Sequence, residues 1–204
     1  MWCLCLLAAP RAADAEWHFT PLAGLVFGGN TTLVDLELAT GESHAVFGGA
    51  VSLLGSGILG AEGIFTLTPD FFQGSSGRED STGLPIKDNL VESSRVTALM
   101  GNVVLTAPRR YTEYFLRPFV SGGLGLLRVS KTDIANNSPF PLEANFAAFN
   151  IGGGAIGFFS QRTGVRFDFR YYSTLHSTQS DSALAFGDVH LRYFTATVGF
   201  VIRR

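Results

Sequence analysis

Cysteine is almost absent from this chain: Cys3 and Cys5, both in the N-terminal stretch, are the two that it has. Removal of that stretch would leave a mature protein without disulfides or thiolate metal sites. Charged residues are scarce too, at 16%, where soluble domains average about 25%. The net charge of −2 offers no basic surface for nucleic acid. No apolar run after the N-terminus approaches ~20 residues, so a transmembrane helix is not expected.

Glycine and phenylalanine are abundant instead, with 24 and 18 residues in a chain of 204. Several segments alternate apolar and polar residues with a period of two, which predicts β-strands with successive side chains on opposite faces. Each segment is close to the ~10 residues that a tilted membrane-spanning strand needs. The predicted strands are 17–28, 44–54, 57–68, 95–106, 114–128, 146–159, 164–172 and 193–202.

The last two predicted strands pose the question of which face is buried. On one face of the seventh strand lie Arg166, Asp168 and Arg170, and its other face is apolar and aromatic. A soluble barrel of the lipocalin kind would bury the apolar face and expose the charges. A membrane barrel turns the apolar face to lipid and the charges to the lumen. In that second arrangement the lipid-facing residues of this hairpin are Phe167, Phe169, Phe194, Val198 and Phe200.

The connections between the predicted strands favour the membrane arrangement. Short connections at 55–56, 107–113 and 160–163 alternate with long polar ones at 29–43, 69–94, 130–145 and 173–188. Outer-membrane barrels have short periplasmic turns and long extracellular loops. We therefore predict an all-β fold, an eight-stranded antiparallel up-and-down transmembrane β-barrel with this loop pattern.

Charge placement along the strands agrees with that fold. An arginine or lysine on the lipid face at mid-membrane costs about 2–4 kcal/mol, and the apolar faces carry none in their central parts. Arg95, Arg128, His190 and Arg192 share the parity of the apolar faces. They lie toward the predicted extracellular ends, where the cost falls and long side chains snorkel to the interface.

The first fifteen residues have the features of a shortened signal peptide. An apolar segment, residues 2–9, is followed by Ala13-Asp14-Ala15, an A-x-A cleavage pattern before Glu16. A lipoprotein is not expected, because neither cysteine follows a complete hydrophobic segment. We predict a signal peptide at 1–15 and a barrel domain at 16–204.

Several local motifs resemble one protein family. They are residues 19–24 (FTPLAG), 60–63 (GAEG), 68–72 (TPDFF), 117–125 (RPFVSGGLG), 166–172 (RFDFRYY) and 196–200 (ATVGF). With the barrel pattern they resemble the eight-stranded outer-membrane β-barrel proteins of Gram-negative bacteria, the class of the OmpA transmembrane domain, OmpX and OmpW. The resemblance covers 16–204. It implies location in the bacterial outer membrane, contact with outer-membrane lipids and lipopolysaccharide, and insertion by the barrel assembly machinery.

Five charged side chains fall on the lumen side of this arrangement: Glu62, Arg117, Arg166, Asp168 and Arg170. An eight-stranded barrel is filled by its own side chains. We therefore interpret the five as a structural polar network whose members neutralise one another. The alternative is a narrow ion pore or gate lined by the same residues.

One segment of the chain comes close to a hydrolytic motif without matching it. Eight-stranded lipid A deacylases use a His and a Ser two residues apart, whereas His176-Ser177-Thr178 offers Thr178 at that spacing, within a loop. The four histidines are scattered, and the glycine pairs lie inside strands rather than in a phosphate-binding loop. We expect no catalytic centre, no metal site and no cofactor.

The function that these patterns favour is structural: a monomeric outer-membrane scaffold that displays extracellular loops, and not an enzyme. The alternative is a small pore or hydrophobic-solute channel of the OmpW kind. A third hypothesis, an outer-membrane lipid-modifying enzyme, lacks an exposed triad.

Overall fold

The alternating segments form one closed sheet in the computed structural model, which describes residues 15–31, 43–55, 57–71, 93–108, 116–132, 143–175 and 190–204. The strands are β1 (Glu16–Thr31), β2 (His44–Leu54), β3 (Leu59–Pro69), β4 (Ser93–Thr106), β5 (Arg117–Thr132), β6 (Glu143–Phe158), β7 (Thr163–Thr174) and β8 (Leu191–Arg203). Each strand pairs with the next, and β8 pairs antiparallel with β1, so the barrel closes. The predicted eight-stranded antiparallel barrel is confirmed. Among the described residues, no helix is long and apolar enough to cross a membrane.

The outer surface of the barrel is apolar, as the strand parity predicts. Phe167, Phe169, Val198 and Phe200 are all exposed, and Phe194 is partly covered by neighbouring rings. The charged side chains of β7 point inward and are buried. A soluble barrel of the lipocalin kind has the opposite arrangement, so the structure excludes that alternative and fits a barrel surrounded by lipid.

The predicted alternation of short and long connections does not hold on either side of β5. The strands leave short turns at 55–58 and 159–162, but 107–116 between β4 and β5 is as long as 133–142 between β5 and β6. The reason is that β5 begins at Arg117 and continues to Thr132, whereas 114–128 was predicted; Tyr114 lies outside the described residues. Leu127 and Val129 are buried in the lumen, and their burial extends β5 toward the loop side.

Two residues that are unsuited to a regular ladder, Pro118 and Gly28, lie near strand ends. Pro118 lacks a backbone donor, so the sequence predicts a bulge or a rim position there. The structure shows the rim position: Pro118 is the second residue of β5 and pairs with Ala155 without a register shift. A register shift that the sequence did not predict lies in β1 between Phe27 and Asn30, where Gly28 has a φ of 62°.

The lumen is filled in three layers along the barrel axis. Toward the long loops, an apolar cluster includes Val46, Met100 and Tyr193, and toward the short turns a second includes Leu54 and Val104. Polar residues lie between the two clusters on the same strands, such as the buried Ser52 on β2 and Asn102 on β4. The charged residues therefore lie between two apolar clusters, which share the two ends of the lumen with buried polar residues such as Thr68 and Thr106. This middle layer is the candidate site.

Candidate functional site: the charged layer of the lumen

The charged layer, which we define as Glu62, Arg166, Asp168 and Arg170, joins opposite walls of the barrel. Glu62 lies on β3, and the other three lie on β7, four strands away around the barrel in either direction. Lumen-facing positions recur at every second residue of a strand, so Arg-x-Asp-x-Arg places all three β7 side chains inside. All four are buried. Their contacts therefore cross the lumen rather than follow its wall.

Glu62 accepts hydrogen bonds on both carboxylate oxygens. Oε2 accepts from Arg166 Nη1 at 2.5 Å and from Ser52 Oγ at 3.1 Å. Oε1 accepts from Arg170 Nη2 at 2.9 Å and from Asn102 Nδ2 at 3.1 Å. Hydrogen bonds between ionised partners are about twice as strong as neutral ones, so this carboxylate is well compensated for its burial.

Asp168 completes the charge balance from the β7 side. Its Oδ2 accepts from Arg170 Nη2 at 2.9 Å and from Arg166 Nε at 3.1 Å, and Arg166 Nη2 also donates to it. Its Oδ1 accepts from Arg170 Nε at 3.1 Å. Each guanidinium therefore contacts both carboxylates, and the two positive and two negative groups sum to zero. A neutral, saturated cluster is the form in which buried charge is tolerated.

Polar neutral side chains extend the charged layer across three more strands. Arg170 Nη1 donates to Asn150 Oδ1 at 3.1 Å, and Asn150 Nδ2 donates to Asn102 Oδ1 at 2.8 Å. Arg166 Nη1 also lies 3.5 Å from Ser52 Oγ. Strand parity placed Asn102 and Asn150 on the lumen side, but alternation alone did not identify them as partners of the charges. For two of these partners the signal is the strand register, because Ser52 and Asn102 directly flank Glu62 on the neighbouring strands.

Glycine makes room for the arginines in this narrow interior. Arg170 is paired across the strands with Gly152, Asp168 with Gly154, and Arg166 with Gly199. A Cβ atom at Gly152 would lie 2.8 Å from Arg170 Cγ and 2.6 Å from the Phe169 carbonyl oxygen. The glycines of β6 and β8 therefore serve packing in the lumen.

We expect Gly152→Val to lower the free energy of unfolding by roughly 1–3 kcal/mol, because the added methyl groups would displace Arg170 from its partners. Gly63→Val is the matched control, since a Cβ at Gly63 on the outer face meets nothing within 4 Å. Urea unfolding of the barrel in lipid vesicles measures both. Equal losses in the two variants would contradict the packing role.

Arg117 lies apart from the charged layer, at the short-turn end. Its Nε donates to the Ala107 carbonyl at 3.0 Å, and its Nη2 donates to the carbonyls of Gly55 at 2.9 Å and Gly57 at 3.2 Å. The sequence placed Arg117 in one network with the other four charges, and the structure instead gives it the backbone of two neighbouring turns. The alternation of residues along a strand determines which face a side chain lies on, but not its position along the barrel axis.

Phe71 closes the loop-side end of the lumen and was not predicted. It follows β3, is buried, and packs edge-on against Tyr193 with ring centroids 5.3 Å apart. His44 at the start of β2 contacts the same ring at 6.1 Å. Asp70, the residue before Phe71, has a φ of 54°, and this left-handed conformation turns the chain toward the lumen.

The four charged side chains of this layer are all engaged in ion pairs. Its carboxylates and guanidinium groups are saturated by one another, so none is left poised as a base or nucleophile. The parts of the chain that the structure describes hold no group of three or more His, Cys, Asp or Glu side chains that could bind a metal. His176-Ser177-Thr178 and residues 1–14 of the predicted signal peptide lie outside the described residues.

Comparison with solved structures identifies known proteins that share this fold. No family model and no curated protein matches the sequence. The crystal structure of Neisserial surface protein A matches with a TM-score of 0.57 and 11% identity, over 94% of this chain and 99% of that chain. Two weaker matches are Ail of Yersinia pestis (TM-score 0.49, 15% identity, 92% and 99%) and AlkL (TM-score 0.49, 14% identity, 100% and 97%). The chain thus has the fold of the eight-stranded bacterial outer-membrane barrels, and its apolar outer face suits that membrane.

Proposed function

We propose that this protein is a monomeric outer-membrane scaffold whose lumen is closed and whose long connections carry its recognition outside the cell. The observation that supports this proposal is the three-layer filling of the lumen. A continuous water path would have to pass two apolar clusters and the charged layer between them. Ion conduction needs a polar, hydrated route, and these residues leave the charges bound to one another.

The short-turn side adds a further closure. The guanidinium carbon of Arg166 lies 4.4 Å from the Phe119 ring centroid, so the charged layer directly contacts the apolar cluster on the short-turn side. Phe119 and Ile156 are themselves buried, so apolar side chains back the charged layer on this side. The proposed role therefore does not depend on transport through the barrel.

Planar-bilayer recording tests the closed lumen. We expect the refolded protein to give no steady conductance above the bare bilayer, with a general porin inserted in parallel as the positive control. A steady conductance of fixed size in the wild type would reject the closed scaffold in favour of the small pore.

Display of the long connections is tested on intact cells. An epitope inserted in 72–92 is expected to bind antibody on whole cells, because long loops of such barrels face outward. The same epitope in the short turn 159–162 is the matched control and is expected to bind only after the cells are permeabilised. Labelling of both epitopes only after permeabilisation would contradict surface display.

The hydrophobic-solute channel remains a second candidate for one specific reason. The loop-side half of the lumen holds an apolar cluster that includes Tyr172 and Tyr193, whose rings stack at 4.9 Å. An apolar solute that displaced Phe71 would meet apolar side chains on the loop side, but the charged layer lies across its route to the periplasm. Uptake of a labelled alkane by cells that express the barrel would support this alternative.

A further inference from the structure

The first and last strands of the barrel meet at its short-turn end, and a small group of side chains lies across this seam. The backbones of Trp17 and Arg204 exchange two hydrogen bonds there, with N–H to carbonyl distances of 3.1 Å and 2.9 Å. Beside this pair, Arg203 Nη1 lies 3.4 Å from Glu16 Oε2. The side chains at the seam, which we call the seam cluster, are Glu16, His18, Phe158 and Arg203.

His18 is the buried titratable group of the seam cluster. It is 1% exposed, and neither of its ring nitrogens makes a hydrogen bond with the described residues. Its Nε2 lies 3.7 Å from Glu16 Oε2, which is beyond hydrogen-bond length. Its ring meets Phe158 edge-on, with ring centroids 5.5 Å apart. The charged layer and the closure of the lumen make no use of this imidazole.

A single carboxylate oxygen lies between two basic side chains in this cluster. Glu16 Oε2 is 3.4 Å from Arg203 Nη1 and 3.7 Å from His18 Nε2. The Arg203 guanidinium carbon is also 5.1 Å from the centroid of the Phe158 ring that His18 contacts. With neutral His18, Glu16 and Arg203 form a neutral pair. A proton on His18 would leave two cations beside one carboxylate.

The surroundings of His18 provide no second carboxylate among the described residues. The charged groups that act on it are Glu16 on its own strand, Arg203 on β8 and Arg117 on β5. Toward β6 it meets the ring of Phe158, and on β2 the paired residue is Ser52. A protonated imidazole carries two N–H donors, and a buried charge needs partners. Glu16 is therefore the group that a charged His18 would recruit, in competition with Arg203.

We propose that the seam cluster is an acid-sensitive latch, in which protonation of His18 draws Glu16 away from Arg203 and loosens the short-turn end of the β1–β8 seam. Histidine is the side chain that ordinarily titrates between about pH 5 and 8, whereas a glutamate ordinarily titrates near pH 4.3. Mild acid would thus act on the histidine first. The short turns of such barrels face the periplasm, so only the side from which protons arrive rests on the proposed function.

Urea unfolding of the full chain in lipid vesicles, at about pH 7.5 and about pH 5, tests the latch. If the unfolded chain binds the proton more readily than the buried imidazole, stability falls as the pH falls. We expect acid to raise the unfolding equilibrium constant of the wild type roughly tenfold more than that of His18→Gln. His44→Gln, which removes a histidine at the loop-side end of β2, is the matched control and should respond as the wild type.

Two arginine variants test the competition for Glu16. Arg203→Gln is expected to reduce the acid effect, because a protonated His18 then has the carboxylate of Glu16 to itself. Arg204→Gln removes the same charge from the next residue, which is exposed, and should keep the full effect. Each variant is compared with itself at the two pH values, so a change in its stability at neutral pH does not disturb the result.

Hydrogen exchange shows where the barrel loosens. We expect the amides of Trp17 and Arg204 to lose protection at the lower pH in the wild type. The amide of Thr106 donates to the Ile58 carbonyl at 2.7 Å at another short turn and should keep its protection. Protection is expressed relative to the unfolded chain at the same pH, because intrinsic exchange itself depends on pH.

An equal acid effect in the wild type, His18→Gln and Arg203→Gln would overturn the latch. A loss of protection as large at Thr106 as at Trp17 would also overturn it, because the effect would then not be confined to the seam. A heat-dependent shift in gel mobility confirms that each variant is folded before it is compared. Membrane fractionation tests the proposed function separately, since a barrel found outside the outer membrane would reject the scaffold and leave the latch standing.

Discussion

Glu62→Ala is expected to lower the free energy of unfolding by about 3–5 kcal/mol, the cost of breaking a buried ion pair from one side. The substitution removes both acceptor oxygens that face Arg166 and Arg170. Two buried guanidinium groups would then share the single carboxylate of Asp168. The loss comes mainly from uncompensated positive charge, because each arginine keeps its other contacts but not its neutrality.

A double variant separates charge balance from the loss of contacts. Glu62→Leu/Arg170→Leu leaves Arg166 paired with Asp168, so the layer is neutral again. We expect this double variant to be more stable than Glu62→Ala, because replacing both members of a buried pair by apolar residues is often neutral or stabilising. Ser52→Ala, which removes one hydroxyl from Glu62, is the small-effect control at about 1 kcal/mol.

Urea unfolding of the barrel in vesicles, followed by its heat-dependent gel mobility, gives the three free energies. A loss for Glu62→Ala no larger than that for Ser52→Ala would mean that water reaches the arginines and compensates them. That outcome would also weaken the proposal of a closed lumen, since it requires hydration inside the charged layer.

The barrel itself could be predicted from the sequence because its signal is distributed over the whole chain. A period of two determines which side chains share a face, and the apolar face of β7 is uninterrupted from Val165 to Tyr171. Because the number of strands is even, β8 runs antiparallel to β1 and can pair with it to close the barrel. The faces of the strands and the closure of the barrel follow from local sequence patterns alone. Neither requires knowing how a strand is positioned relative to the strands on the opposite side of the barrel.

The charged layer could be predicted only in part, for a geometric reason. Alternation identifies Glu62 and Arg117 equally as lumen residues, but the stagger of the strands sets their heights. In the structure Glu62 lies level with the arginines of β7, whereas Arg117 reaches the carbonyl of Gly55 in a turn. The same stagger brings Asn150 beside Arg170, a contact between residues that share no local motif. Sequence patterns therefore give the side of the sheet, and the register gives the partners.

If the apolar face of the sheet contacts lipid, arginine substitutions at two outward positions of β8 should lower the free energy of unfolding by different amounts. Val198 and Ile202 face outward on this strand and are both 46% exposed. Val198 lies near the middle of the strand, opposite Ala23 and Phe167, and Ile202 lies next to its end, opposite Phe19 and Thr163. Equal exposure means that water as the surrounding medium would make the two substitutions nearly equivalent.

In lipid the two variants should differ strongly. We expect Val198→Arg to lower the free energy of unfolding by about 2–4 kcal/mol and Ile202→Arg by about 0–1 kcal/mol, because the cost of an arginine falls from the bilayer midplane to the interface. At Ile202 the side chain can snorkel to the headgroups, and at Val198 it cannot reach them without thinning the bilayer. Guanidinium unfolding in vesicles measures both. Equal and small losses would show that this face contacts water, which would contradict the assignment of inside and outside on which the proposed scaffold depends.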